Sequence, residues 1–273
     1  MSTLTASAPR RATHVESPYR LNFLRILRSE WIKLATLRST WWSIGITAAL
    51  TIGIAVLVAQ SMTAAPGFEP IQAVVSPVQF TMLLAGILGA ISVTGEYSTG
   101  MIRSTLTAVP VRGSVLLAKA IVVGLVLFVS SVVIFVTAAL VVTPMFTDTA
   151  QPFDWGTPSA STLPILATSL AMAVFALLGV AFGFMLRSGA GAIAATVGLL
   201  LVLPLVANIF AMPGEGWEWI ADASAHLPMS AAQSIILPQD DWGLPVGEAY
   251  LTLAAWVTAG LLGAWAVLRT RDA

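Results

Sequence analysis

The sequence predicts an all-α polytopic membrane protein with six transmembrane helices. Three observations carry that expectation. Only 10% of the 273 residues are charged, against about 25% in an ordinary soluble domain. Hydrophobic residues make up 57% and mean hydropathy is +0.88, which is more apolar surface than a globular core of this length can hide. The charges are also bunched, and the intervals between bunches are long. Together these features exclude a disordered chain, a nucleic-acid binder built on a basic surface, and almost any soluble enzyme. Cysteine is absent, so there is no disulfide, thiolate nucleophile or thiolate metal site.

Six charge-free intervals define the spans. They run from Arg38 to Glu69 (30 residues), Glu69 to Glu96 (26), Lys119 to Asp148 (28), Asp154 to Arg187 (32), Arg187 to Glu215 (27) and Glu248 to Arg269 (20). A helix needs about 20 apolar residues to cross the hydrocarbon core. All six intervals meet that length and are rich in Leu, Val, Ile and Ala, whereas barrel strands would alternate in short segments. The predicted spans are 41–62, 77–95, 118–142, 163–186, 189–211 and 249–268, within a transmembrane domain at 41–268. A seventh interval, Asp222 to Asp240, holds only 17 residues and contains His226, Pro228, Gln233 and Pro238. It suits a short re-entrant or interfacial helix in an outer loop at 213–248.

Basic residues set the orientation. Arg10, Arg11, Arg20, Arg25, Arg28, Lys33 and Arg38 precede the first span. Arg103, Arg112 and Lys119 lie between spans two and three or at the edge of span three. Arg187 separates spans four and five, and Arg269 and Arg271 follow span six. With six spans, all thirteen fall on one side, which places both termini in the cytoplasm. Nine acids (Glu69, Asp148, Asp154, Glu215, Glu218, Asp222, Asp240, Asp241 and Glu248) mark the outside. Tryptophan agrees with this sidedness: Trp41 and Trp42 stand at the inner mouth of span one, while Trp155, Trp217, Trp219 and Trp242 lie in outer loops, where indole rings meet headgroups. The first span is too long, and its leading tail too extended, for a cleavable signal peptide.

Residues 1–18 are polar without helical period and are expected to form a disordered cytoplasmic tail; residues 269–273 form a second, short cytoplasmic tail. Residues 19–40 differ. Leu24, Leu27, Trp31 and Leu34 recur at helical spacing, with Asn22, Arg25, Ser29, Lys33 and Thr36 opposite. This is an amphipathic helix for the inner interface, where anionic lipid attracts basic side chains such as Arg25, Arg28, Lys33 and Arg38, with Trp31 on the apolar face. Its plainest role is a lead-in to span one; its larger role is contact with a cytoplasmic partner. The loop 95–119 is too polar for lipid and too short for a domain. Met101–Ala108 can form a short helix across the inner mouth of the bundle, stopped by Pro110.

At this loop the sequence resembles the permease subunits of the type 2 ABC exporter family. The residues that carry the likeness are Glu96, Tyr97, Gly100, Arg103, Leu106, Pro110, Arg112 and Lys119. The lead-in Ser29-Glu30-Trp31, Lys33 and Leu37-Arg38-Ser39-Thr40-Trp41-Trp42 is similar to the actinobacterial branch. Met101 departs from the threonine common after that glycine. The resemblance covers about residues 20–273. It implies a short cytoplasmic coupling helix at about 96–110 that docks on a separate ATPase through Glu96, Tyr97, Gly100, Arg103, Leu106, Pro110 and Arg112. It also implies two permease subunits, as homo- or heterodimer, around one translocation path. Glu96 then has an architectural role, with Arg103 as a candidate partner.

The chain has no catalytic constellation of its own. A P-loop needs G-x-x-x-x-G-K-[ST]; the only lysines are Lys33 and Lys119, and neither follows glycine. ATP and magnesium therefore belong to a partner chain, and this one is expected to bind no cofactor. The two histidines, His14 and His226, fall on opposite sides of the membrane, so no metal site or Ser/His dyad forms within it. No span centre carries a carboxylate, which disfavours an intramembrane aspartyl protease and ion-coupled transport. Gly179-x-x-x-Gly183 and Gly45/Ala49/Gly53 offer helix or dimer contacts, and Pro204 offers a structural kink or a gate hinge. The leading expectation is a non-catalytic permease subunit of an ATP-driven exporter in a bacterial plasma membrane, forming a path for an amphipathic or apolar substrate. The alternative is a six-span substrate-binding or immunity-type subunit that forms no path.

Overall fold

With no water in the hydrocarbon to satisfy amides, a spanning chain must close its hydrogen bonds within each helix. Every regular element among the described residues is accordingly helical. The computed structural model describes residues 22–63, 65–109, 111–147, 149, 151–210, 218–238 and 243–270. The tail at 1–18, Pro110, Trp217, Trp242, Arg271 and parts of the 213–248 loop lie outside them. The helices are α1 (Phe23–Thr36), α2 (Arg38–Met62), α3 (Pro70–Val75), α4 (Val78–Ser98), α5 (Met101–Ala108) and α6 (Arg112–Val142). They continue as α7 (Thr162–Leu186), α8 (Gly189–Val197), α9 (Leu203–Phe210), α10 (Glu218–Ala225), α11 (Pro228–Ile236) and α12 (Val246–Thr270).

Six segments are long and apolar enough to cross a membrane: Arg38–Met62, Pro70–Ser98, Arg112–Phe146, Thr162–Leu186, Gly189–Phe210 and Val246–Thr270. They coincide with the six predicted spans, and two of them begin six or more residues before the predicted bounds of 77 and 118. The second begins at Pro70, because a proline in the first turn leaves no amide unsatisfied and nucleates α3. The third begins at Arg112 rather than near 118, because the two cations in its first turns find partners inside the protein, described below.

The bundle is built around α7. Of its most apolar stretch 78% is buried, against 17% for α2, for α8–α9 and for α12. Helices α4, α6, α8 and α12 pack around it. The contact with α4 is the tightest. A Cβ on Gly179 would run into the Gly86 carbonyl, and one on Gly89 into the Ala176 carbonyl. One on Gly183 would sit 2.8 Å from Val93 Cβ. The Gly179/Gly183 pair thus packs inside its own chain, whereas Gly45 and Gly53 have open space in front of them. Buried hydroxyls return to their own helix: Thr168 donates to Pro164 O at 2.7 Å, and Ser169 to Ile165 O at 2.8 Å.

Pro204 shapes the fifth span. It has no amide proton for the i−4 carbonyl, and its ring crowds that carbonyl. The turn before it widens into a π-helix, Gly198–Val202, with Leu203 donating to Gly198 O, and α9 resumes afterwards. Asn208 donates to Pro204 O at 2.9 Å, using a carbonyl one turn back.

The short seventh interval folds as two helices rather than a span. The inward residues of α11, from Pro228 to Ile236, are buried against α7 and α12. Trp256 of α12 anchors the preceding turn by donating to His226 O at 2.8 Å.

Candidate functional site

Four charged side chains meet at the end of the bundle that holds α1, α5 and the beginning of α6. Glu30 and Lys33 come from α1, Glu96 from the last turn of α4, and Lys119 from the second turn of α6. Lys119 Nζ lies 2.6 Å from Glu30 Oε2 and 2.8 Å from Glu96 Oε1. Lys33 Nζ lies 2.6 Å from Glu30 Oε1 and 3.1 Å from Glu96 Oε1. Glu30, Glu96 and Lys119 are buried, and only Lys33 is partly exposed. Charges in so dry a place must be paired, and two cations facing two carboxylates leave a net charge of zero.

The lysines also reach beyond the carboxylates. Lys33 donates to Thr105 Oγ1 of α5 at 3.3 Å, and Lys119 to Ser92 O of α4 at 3.4 Å. An ammonium has three N–H donors, so each lysine is fully used. One ammonium therefore joins the lead-in helix, the end of the second span and the short helix α5. For the α1 pair the electrostatics favour the charged forms. Burial alone would raise the Glu30 carboxyl, but Lys119 and Lys33 outweigh it and hold it below its ordinary value. Burial alone would lower the Lys33 ammonium, but Glu30 and Glu96 hold it above its ordinary value.

Local sequence explains the geometry. Asn22 caps α1 by accepting from Leu24 N. The chain bends at Leu37, and Trp41 Nε1 closes the corner on Ala35 O at 2.8 Å. Between α4 and α5 stands Gly100, with φ +73°. A side chain there would cost about 1–2 kcal/mol in the left-handed region, so glycine turns the chain and places Thr105 over Lys33. A second cluster sits nearby. Arg112 donates to Leu268 O at 2.7 Å and Arg187 to Val267 O at 3.4 Å, both at the carbonyl-rich end of α12. The Arg187 guanidinium lies 5.5 Å from the Tyr97 ring, which also meets Phe184 edge-on.

The residues singled out from sequence thus divide. Glu96 and Lys33 are joined directly. Tyr97 and Arg112 sit in the neighbouring cluster, and Gly100 makes the turn. Leu106 packs half-buried against the core, while Arg103 is exposed on α5. The ion-pair partners of Glu96 are Lys33 and Lys119 rather than Arg103. On α1, Arg25, Arg28 and Trp31 are exposed, as is Arg38 at the start of α2. Pro110 lies outside the described residues. Sequence reasoning passed over Glu30 and Lys119 as site residues. Their signal was present: Glu30 is an acid amid basic neighbours, and Lys119 stands next to an apolar run, where a lone charge needs a counter-ion.

These four charges and the helices that hold them fall within a stretch that can be compared with known proteins. The family described as ABC-2 family transporter protein matches residues 26–212, more than half of the chain. The chain belongs to this ABC-2 transporter family. No curated protein matches it. As an ABC-2 family member it is a multi-pass membrane protein and the permease component of an ABC transporter, and membership implies an ABC ATPase partner in general. The match begins within α1 and includes Glu30, Lys33, Glu96 and Lys119, so the ABC-2 region contains the whole four-charge junction.

Proposed function

We propose that this ABC-2 permease is the non-catalytic membrane subunit of an exporter in a bacterial plasma membrane. In this reading two permease subunits form the path, both termini are cytoplasmic, and a separate ATPase binds ATP and magnesium. Helix α5 receives the ATPase and passes its movement to the spans. The observation that carries the reading is the Lys33 ammonium, bonded at once to Thr105 on α5, Glu30 on α1 and Glu96 on α4. A push on α5 therefore reaches the second span through an ion pair, and the third through Lys119. The outward faces of α2 and α9, with Gly45 and Gly53 unobstructed, leave room for a second permease.

The absence of cysteine makes the test direct. An Arg103→Cys variant, co-expressed with an ABC ATPase encoded beside it, should crosslink to that ATPase. It should also react with an impermeant maleimide from the cytoplasmic face. Leu125→Cys, lipid-exposed in mid-span, should do neither. Failure of the ATPase to co-purify, or labelling of position 103 from outside, would overturn the reading.

A further inference from the structure

Beside the four-charge junction lies a cavity of about 460 Å³ between α1, α4 and α6. Leu34 and Leu37 of α1 and Ile91 of α4 form its aliphatic walls, with the buried Val122 and Val123 of α6 behind them. Gly95 lies in its floor, and a Cβ there would meet nothing within 4 Å. Leu37 and Ile91 are exposed at its rim. The polar layer on each face of a bilayer is about 5–8 Å deep, and Ile91 lies roughly 10 Å inside the Ser98 end of α4. The cavity therefore opens sideways at the depth of hydrocarbon.

Charge and hydrogen bonding select what enters. The lining holds the carboxylates Glu30 and Glu96 and the ammoniums Lys33 and Lys119, which pair among themselves and sum to zero. Lys33 spends its three N–H donors on Glu30, Glu96 and Thr105, and Lys119 on Glu30, Glu96 and Ser92 O. Ser92 donates to Gly89 O, and Ser98 and Thr99 both donate to Gly95 O. No lining side chain among the described residues keeps an N–H or O–H to offer. An anionic head finds no donor there, and a cationic head finds no surplus negative charge. Water, which needs about 2–4 polar partners, is no better served. A helix segment about 12 Å long and 10 Å across fills roughly 900 Å³, about twice this space, so a helix of a second copy does not fit. We propose that the cavity binds one uncharged hydrocarbon chain of a bilayer lipid, laid along Leu34, Gly95 and Ile91, with its headgroup left outside in the interface. The inference does not rest on the transport reading, since it concerns the permease and its bilayer alone.

The test uses the full chain in phosphatidylcholine nanodiscs that carry a trace of one photoreactive lipid, with adducts mapped to residues by mass spectrometry. A phosphatidylcholine with a diazirine in its tail should mark Leu34 and Ser92, and a phosphatidylglycerol with the same tail should mark them equally. A lipid with the diazirine on its headgroup should not. Gly95→Leu fills the floor of the cavity with an isobutyl group, and leucine suits a helix better than glycine. Ile91→Trp fills the mouth from an exposed rim position. Each should cut the adducts on Leu34 and Ser92 at least about tenfold, the factor that burial of about two methylenes supplies. Adducts on Leu125, which is lipid-exposed in mid-span, should stay unchanged. If Gly95→Leu yields no folded protein, Ile91→Trp decides alone. No adducts on Leu34 and Ser92, marking that depends on the headgroup, or adducts unchanged in the filled variants would each overturn the proposal. None of these outcomes bears on crosslinking of position 103 to an ATPase, so the two readings fail separately.

Discussion

Lys119→Met will destabilise the protein more than any substitution on its exposed surface. The variant leaves Glu30 and Glu96 buried with a single cation between them, and Glu30 Oε2 loses its 2.6 Å partner. Removing one member of a buried ion pair costs about 3–5 kcal/mol, because the remaining charge is stranded. For a chain of this size that corresponds to a melting-temperature drop on the order of 10 °C. Lys119→Met/Glu30→Gln restores the balance of charge and should recover most of the loss. Arg103→Met, at an exposed site, should stay within about 0.5 kcal/mol of the parent. If the single and double Lys119 variants melt together, the junction is not electrostatically closed. The proposed exporter function adds a second readout: in that reading the double variant should fold yet fail to link ATP hydrolysis to transport, because the third span has lost its tie to α1 and α4.

The junction also fixes a pH dependence. Glu30 is held below its ordinary value, so its contribution is present above the unfolded carboxylate range and is lost as pH falls through the folded value. Lys33 is held above its ordinary value, so its contribution is present below the unfolded ammonium range and is lost as pH rises through the folded value. Between those limits the pair contributes a constant stability. Thermal melts should be flat across neutral pH and fall off in acid below about 4.5 and in base above about 10.5.

The spans were legible in the sequence because a bilayer imposes one rule on all of them: no unpaired charge for about 20 residues. The interior face of α1 was not legible, for a reason specific to membranes. Periodicity picks out Leu24, Leu27, Trp31 and Leu34 as the apolar face. In a soluble protein that face would be buried. Here Leu24 and Trp31 are 69% and 50% exposed, while the buried positions are Ile26 and Glu30. Leu24 and Trp31 are turned away from the protein, Leu27 and Leu34 lie half-buried, and the face turned fully inward carries charge. Lys33, grouped by spacing with Arg25 and Ser29, turns in because Glu96 waits there. That pairing joins residues 63 apart in sequence, and no local pattern encodes it. The short helix α5 was legible, since glycine and proline bracket it. Its bond to Lys33 was not.

Substituting a single methyl at the α4–α7 crossing will separate the glycines by role. Gly89→Ala and Gly179→Ala each place a Cβ against a backbone carbonyl, that of Ala176 and that of Gly86. A backbone oxygen in a regular helix has nowhere to turn, so the two helices must move apart along their length. Overpacking typically costs about 1–3 kcal/mol, and these two should fall at the top of that range or beyond it. The expected result is a fall in melting temperature of several degrees and a loss of folded yield. Gly183→Ala meets Val93 Cβ at 2.8 Å and should cost less. Gly86→Ala meets chiefly the Thr196 methyl at 2.5 Å and a Leu200 methyl at 3.2 Å; Thr196 is buried with its hydroxyl bonded to Ala192 O, so this change should cost about as much as Gly183→Ala. Gly45→Ala and Gly53→Ala meet nothing within 4 Å and should stabilise slightly, since glycine inside a helix is about 0.5–1 kcal/mol worse than alanine. This order follows from distances inside one chain. If the GxxxG pair served instead as a contact between subunits, Gly179→Ala would leave the monomer's melting unchanged and dissociate the oligomer. A Gly179→Ala protein that melts like its parent would show that α4 and α7 are not pressed together at this crossing.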